Sequence, residues 1–151
     1  MGRGAGTAGT QPGSHSGNHG RRRRVARDAG GRVTPNVLIM INSVVLGGSA
    51  EIRDAGLLAA AATRPDAVLA GQDAYPTIEE KAAAVLHSVV RTRPFVRGNK
   101  ATGWIACRMM LRCQKKRPSL STAEAYDLID ELVTVDMSVA ELVAAMKITD
   151  G

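Results

Sequence analysis

The sequence predicts an all-α fold, a compact helical bundle that follows a disordered N-terminal tail. Only four of the 151 residues are aromatic, so the core must be built mainly from Ala, Val, Leu, Ile and Met, a composition that favours helices. Several segments place apolar residues at three- and four-residue spacing, and most of them begin at a Ser, Thr or Asp that can cap a helix. No segment shows a clear period of two, although residues 117–120 could be briefly extended.

The chain divides into a tail, residues 1–32, and a single domain, residues 33–151. The tail is rich in Gly, Ser, Thr and Arg and has too few large apolar residues to fold, so we expect it to be disordered. It carries seven arginines and one acid, whereas the domain carries 13 basic and 13 acidic residues. The whole excess of positive charge therefore belongs to the tail.

Three interpretations of the tail remain open. The run Arg21–Arg24 could touch nucleic acid or an anionic surface, the true start of translation could lie near Val33, or the tail could have no function, which we favour. Specific nucleic-acid recognition is not expected, because the tail has no aromatic residue to stack on bases. His15 and His19 are too isolated to predict a metal site.

Local signals divide the domain into helices. Thr34-Pro35 predicts the start of a first helix and Gly47-Gly48 its end. Asp54 can cap a second helix that stops before Pro65; residues 67–70 are expected to form a short turn and residues 71–76 a loop. Three capping boxes, each a Ser or Thr followed three residues later by Glu, predict the starts of further helices: Thr77/Glu80, Ser121/Glu124 and Ser138/Glu141.

Composition excludes several classes of protein. No apolar run is long enough to cross a membrane, and the N-terminus does not resemble a secretory signal. Cys107 and Cys113 lack the spacing of a zinc site or a disulfide framework, so we expect a reduced cytoplasmic protein. Residues 81–119 hold ten basic residues and no acid, which suits a nucleotide ligand or simply forms a solvated face.

The chain is organised around the segment 91–102, where one helical pattern ends and another begins. Pro94 disfavours helical geometry at Arg93, Gly98 permits a tight turn, and Asn99 is expected to cap the next helix, which runs to about Cys113. A short loop that leads into a helix N-terminus presents amide groups and the positive end of the helix dipole. This arrangement predicts an anion site, most often for phosphate.

The same segment resembles the core motif of the Fic/Doc (Fido) family, in particular the short Doc-like toxins. The family pattern is His-Pro-Phe-x-Asp-Gly-Asn-Lys-Arg-Thr, and this chain has Arg-Pro-Phe-Val-Arg-Gly-Asn-Lys-Ala-Thr at residues 93–102. The resemblance extends over about residues 33–148 and includes the flanking pieces 53–58, 71–77 and 81–88. It implies a Fido-type helical bundle.

The resemblance also implies a function. Family members transfer AMP or phosphate from ATP to a protein hydroxyl, and Doc-like members modify a translation elongation factor and are inhibited by a small antitoxin. It implies catalytic positions at Arg93, where the family has its histidine, and at Arg97, where it has an acid. Implied nucleotide-binding residues are Arg53, Gly98, Asn99, Lys100 and Thr102, although Lys100 could equally be a surface residue.

Three replacements argue against full activity. Arginine stays protonated and has no free lone pair, so Arg93 cannot act as a general base. Arg97 replaces a carboxylate by a cation, which disfavours Mg²⁺, and no metal site is predicted. Ala101 removes the cation of the family motif. Either arginine could instead contact phosphate directly.

His87 lies six residues before Arg93, about 1.7 helical turns away, so it should face away from the loop. We therefore interpret it as a structural histidine.

Two hypotheses follow from the resemblance: a Doc-like toxin with impaired transfer, or a catalytically dead protein that binds only nucleotide, antitoxin or target. A nucleic-acid binder that acts through its basic tail is a third hypothesis, to which we give little weight.

Overall fold

A computed structural model describes residues 31–151, and these form a bundle of six α-helices with two small antiparallel strand pairs. The expectations for the tail, including those for His15, His19 and Arg21–Arg24, lie outside the described residues. The helices are α1 Pro35–Leu46, α2 Ala55–Thr63, α3 Ile78–Thr92, α4 Asn99–Cys113, α5 Thr122–Thr134 and α6 Val139–Met146. The strands are β1 Val68–Leu69, β2 Gln72–Asp73, β3 Lys116–Pro118 and β4 Ile148–Asp150, and a 3-10 turn spans Arg64–Asp66.

Helix α3 is the centre of the bundle. It packs against α2, α4, α5 and α6, and eight of its 15 residues are buried. The consecutive small residues Ala82–Ala84 are completely buried and let neighbouring elements approach α3 closely, while Leu86 and Val89 are completely buried beside α4. A buried central helix that ends at the motif gives the loop after it a rigid base.

Five of the six predicted N-caps are confirmed in the structure. Thr34, Asp54, Thr77, Ser121 and Ser138 each accept a hydrogen bond from the backbone N–H three residues later, and Gly47 ends α1 in the left-handed conformation. Each bond satisfies one of the N–H groups that a helix start leaves without an internal partner. The helix boundaries therefore follow from local chemistry.

Two expectations about the connections are wrong. Residues 67–70 do not form a helical turn, and part of the expected loop at 71–76 is a strand. β1 and β2 form a hairpin that reverses at Ala70 and Gly71, both with positive φ. Strands of two residues are too short to show alternation in the sequence. β3 confirms the brief extended segment, but its partner β4 was not predicted.

Helix α1 is less buried than its apolar pattern suggests. Leu38 and Ile41 face the core, whereas Met40 and Val44 are exposed by 58% and 76%. A polar residue, Asn42, is instead completely buried on the inner face. None of the described helices has the length and hydropathy that crossing a membrane requires.

Candidate functional site

The motif loop, which we define as residues 93–98, connects α3 to α4. The last turn of α3 ends with Arg93 in the left-handed conformation, with φ of 53°, and its N–H still donates to the carbonyl of Val89. The next residues leave the helix, as expected before and at a proline. The loop then enters α4 through Gly98, whose φ is 77°.

The N-cap of α4 differs from the prediction. Gly98, not Asn99, is the N-cap residue of α4, and no side chain caps this end. Asn99 is the first residue of the helix, and its side chain both accepts from the N–H of Phe95, at 3.0 Å, and donates to the carbonyl of Phe95, at 2.8 Å. The predicted cap is one residue too late, because Gly98 in the left-handed conformation forms the turn before the helix. Asn99 therefore locks the loop instead of capping α4.

A buried layer lies beneath the loop. Phe95 and Thr102 are fully buried, and Asn42 of α1 donates to the carbonyl of Arg97 at 2.9 Å and to the hydroxyl of Thr102 at 3.2 Å. Sequence reasoning missed Asn42, because its partners lie 55 and 60 residues further along the chain. A lone Asn between apolar neighbours on a buried helix face was the available signal, since a buried amide needs partners.

A segment before α2 holds the loop from the other side. The N–H groups of Arg53 and Asp54 both donate to the carbonyl of Pro94. The N–H group of Val96 donates to the backbone carbonyl of Glu51. The guanidinium of Arg53 donates from Nε to the carbonyl of Arg93 and from a terminal nitrogen to that of Thr92, each at 2.6 Å. Arg53 thus satisfies carbonyls at the end of α3. Its assignment to nucleotide binding stays a prediction.

The outer rim of the site carries the charges. The guanidinium of Arg97 pairs with the carboxylate of Glu51 at 2.8 Å, and Lys100 pairs with Asp130 at 2.8 Å. All four side chains are more than two-fifths exposed, so each pair contributes only about 0–1 kcal/mol. Arg93 is exposed and makes no side-chain hydrogen bond or ion pair with residues 31–151.

The residues predicted to bind nucleotide differ in their exposure. Gly98 and Lys100 lie at the accessible N-terminal turn of α4, where backbone N–H groups lack partners within the helix. The side chains of Asn99 and Thr102 are buried and bonded to protein groups. The side chains of Asn99 and Thr102 are therefore already engaged within the protein, and the binding roles of Gly98, Asn99, Lys100 and Thr102 all stay predictions.

The site does not fit a metal ion. Where the resemblance implies a carboxylate there is Arg97, and the nearby carboxylate, Glu51, is already paired with it. Among residues 31–151 no group of three or more His, Cys, Asp or Glu side chains is arranged to hold a metal. We therefore derive no step through Mg²⁺ for this chain.

His87 is a structural histidine, as its position predicted. Nδ1 lies 2.7 Å from the guanidinium of Arg64 and Nε2 lies 2.8 Å from the carbonyl of Met137, so the ring accepts at Nδ1 and donates at Nε2. Burial, together with the charge of Arg64, lowers the pKa of His87 below its usual 6.5. The neutral ring connects α3 to the start of α6 and does not approach the motif loop.

Comparison with known proteins agrees with this architecture. Residues 32–111, which contain the motif loop and the layer beneath it, match the model of the Fic/DOC family. The chain is similar to the Toxin Doc of Mycolicibacterium smegmatis (strain ATCC 700084 / mc(2)155), with 36% identity over 111 residues that cover 72% of this chain and 85% of that protein. The chain therefore belongs to the Fic/DOC family, as a Doc-like toxin.

Proposed function

We propose that this Doc-like toxin binds the phosphates of ATP at the start of α4 and transfers phosphate or AMP from ATP to a protein hydroxyl poorly or not at all. The observation that carries the proposal is Arg93, an exposed arginine at the rim of the motif loop, where the resemblance implies a histidine. A guanidinium cannot accept the hydroxyl proton. Loss of a positioned base lowers the rate of such a reaction by about 10²- to 10⁴-fold.

Binding of phosphate has a separate physical basis. The N-terminal turn of α4 supplies unpaired amides and the positive end of a 15-residue helix. Arg93 adds an exposed cation at the preceding turn, and Lys100 adds one that is shared with Asp130. The proposed target is a hydroxyl group of a translation elongation factor, and the proposed regulator is a small antitoxin whose inserted segment blocks the site.

A second candidate function is binding without chemistry. It is favoured by the Arg97–Glu51 pair, which places a neutralised cation where the resemblance implies a metal-directing acid. Such a protein would still hold ATP, antitoxin or target. A calorimetric titration with a non-hydrolysable ATP analogue tests whether the α4 N-terminus binds nucleotide at all.

Restoring the family residues separates the two candidates. The variant carries Arg93→His, Arg97→Asp and Ala101→Arg together, and it is incubated with bacterial lysate and ATP radiolabelled on either the α- or the γ-phosphate. Ala101 is exposed, so the new arginine has room. We expect labelled protein from the restored chain only, and the isotope identifies the group transferred.

The structure requires one addition to this design. An aspartate at position 97 would face Glu51, whose present partner is the arginine at 2.8 Å. The restored chain should therefore be compared with and without Glu51→Gln, which removes the repulsion between the two carboxylates. Label transferred by the natural chain as fast as by the restored chain would overturn the proposal of impairment. An inert restored chain that still binds the analogue would favour the binding-only function.

A further inference from the structure

A basic cleft lies at the far end of α4, away from the motif loop. It has a volume of about 650 Å³ and is lined by five cations, the side chains of Arg108, Arg112, Lys115, Lys116 and Arg117. Lys116 is neutralised by Glu79, at 2.9 Å, and by Asp150, at 3.6 Å. Among residues 31–151 the other four have no ion pair, so four positive charges share the cleft without a protein counterion.

An aromatic hollow of about 520 Å³ adjoins this cleft. Its lining includes Trp104 and Tyr126, two of the four aromatic residues in the chain, and it extends to the paired side chains of Lys100 and Asp130 near the start of α4. The two concavities share the side chains of Ile105, Arg108, Arg117 and Pro118, so they form one continuous surface. We call the two together the α4–β3 trough. Tyr126 is 68% exposed, an unusual state for an aromatic ring that only packs the core.

We propose that the α4–β3 trough binds single-stranded nucleic acid. Grooves for single strands combine unpaired cations that follow the phosphates with aromatic rings on which bases stack, and both are present here within one trough. An acidic protein segment would use the cations, but only its aromatic side chains could stack on the rings, whereas every nucleotide of a single strand supplies a base. The trough belongs to the folded domain and does not depend on the basic tail.

The test measures binding of a fluorescein-labelled oligouridylate of about 15 nucleotides, which is within the site sizes of such grooves. The full chain is used with Arg21→Ser, Arg22→Ser, Arg23→Ser and Arg24→Ser as the background, which removes the run of four arginines from the tail. Four phosphate contacts predict a slope of log K against log salt of about −2.8, at about −0.7 for each contact.

Substitutions in this background separate charge from stacking. Arg108→Gln with Arg117→Gln should reduce the slope by about 1.4, because two phosphate contacts are lost. Tyr126→Ala should weaken binding about tenfold without changing the slope, because it removes a stacking surface. Lys147→Asn is the control, since it removes one exposed cation outside the trough and should change binding by less than about twofold. The substituted trough residues are exposed, and equal melting temperatures would confirm that the variants are folded.

Three results would overturn the proposal: no binding in the background chain, a slope that the double substitution leaves unchanged, or an affinity unaffected by Tyr126→Ala. Polyglutamate of matched charge is the competitor. If it displaces the oligonucleotide at equal concentration, the trough accepts acidic protein segments in place of nucleic acid, and the proposal is also overturned.

Discussion

The layer beneath the motif loop and the rim above it have diverged to different extents from the family pattern. Six residues agree with the pattern: Pro94, Phe95, Asn99 and Thr102 are buried, Gly98 is half-buried, and Lys100 is exposed. The three departures, at residues 93, 97 and 101, are all exposed. Residues that pack the bundle are needed for folding whether or not the protein has activity, whereas a rim residue is needed only for chemistry. A match at the buried positions is therefore evidence of the fold and says little about transfer.

This contrast predicts that the buried layer controls stability and the rim does not. The largest effect is expected for Phe95→Ala, which empties a fully buried aromatic site and should lower the free energy of unfolding by about 3–5 kcal/mol. Urea denaturation measures the change. The matched rim variant is Arg93→Ala, which should stay within about 0.5 kcal/mol of the natural chain. Similar losses in the two variants would refute the division between layer and rim.

A second prediction concerns Asn42, which connects α1 to both the loop and α4. Asn42→Ala removes the donors to the carbonyl of Arg97 and the hydroxyl of Thr102 and should cost about 1–3 kcal/mol. The oxygen Oδ1 of Asn42 has no hydrogen-bond partner among residues 31–151, so its removal offsets part of that loss. Among residues 31–151 the hydroxyl of the adjacent Ser43 bonds only to the carbonyl of Ile39 in its own helix, which makes Ser43→Ala the control. Equal denaturation midpoints for the two variants would argue against the connecting role of Asn42.

Much of the fold could be predicted because its signals are local. Each cap depends on a bond between residues three apart, so Thr34, Asp54, Thr77, Ser121 and Ser138 all predicted real helix starts. The structural role of His87 followed from helical geometry alone, since a separation of six residues turns it away from the loop.

The features that sequence reasoning missed are those that depend on distant partners. Asn42 acquires its role from residues 55 and 60 positions later, and β4 exists only because it pairs with β3. The Glu51–Arg97 pair also crosses 46 positions. Charges on the rim were correctly located by the motif, but their partners were not. A phosphate that binds Arg97 or Lys100 would therefore compete with the carboxylate already paired with that residue, Glu51 or Asp130.

A third prediction tests the turn into α4. Gly98 has a φ of 77°, and a Cβ there would lie 3.0 Å from Nδ2 of Asn42 and 3.2 Å from Cγ1 of Val45. Gly98→Ala should therefore cost about 1–2 kcal/mol from the left-handed conformation alone, together with the displacement of Asn42. Gly48→Ala is the control, because a Cβ at that position meets nothing within 4 Å. If Gly98→Ala were as stable as the control, the loop would have to enter α4 differently.

The smallest expected effect lies at His87, which is remote from both layer and rim. Its pKa is lowered in the folded state, so between that value and the 6.5 of an ordinary histidine the unfolded chain binds more protons. The contribution of His87 to stability is consequently complete above pH of about 6.5 and decreases as the pH falls below it.

Thermal denaturation of the natural chain and of His87→Gln should show a stability difference that is larger at pH of about 8 than at about 5. His15 and His19 are common to both proteins and cancel in the comparison. A difference that does not vary with pH would mean that the ring is not held neutral between Arg64 and Met137. Because neither partner belongs to the motif, the analogue affinity of folded His87→Gln at pH of about 8 should equal that of the natural chain.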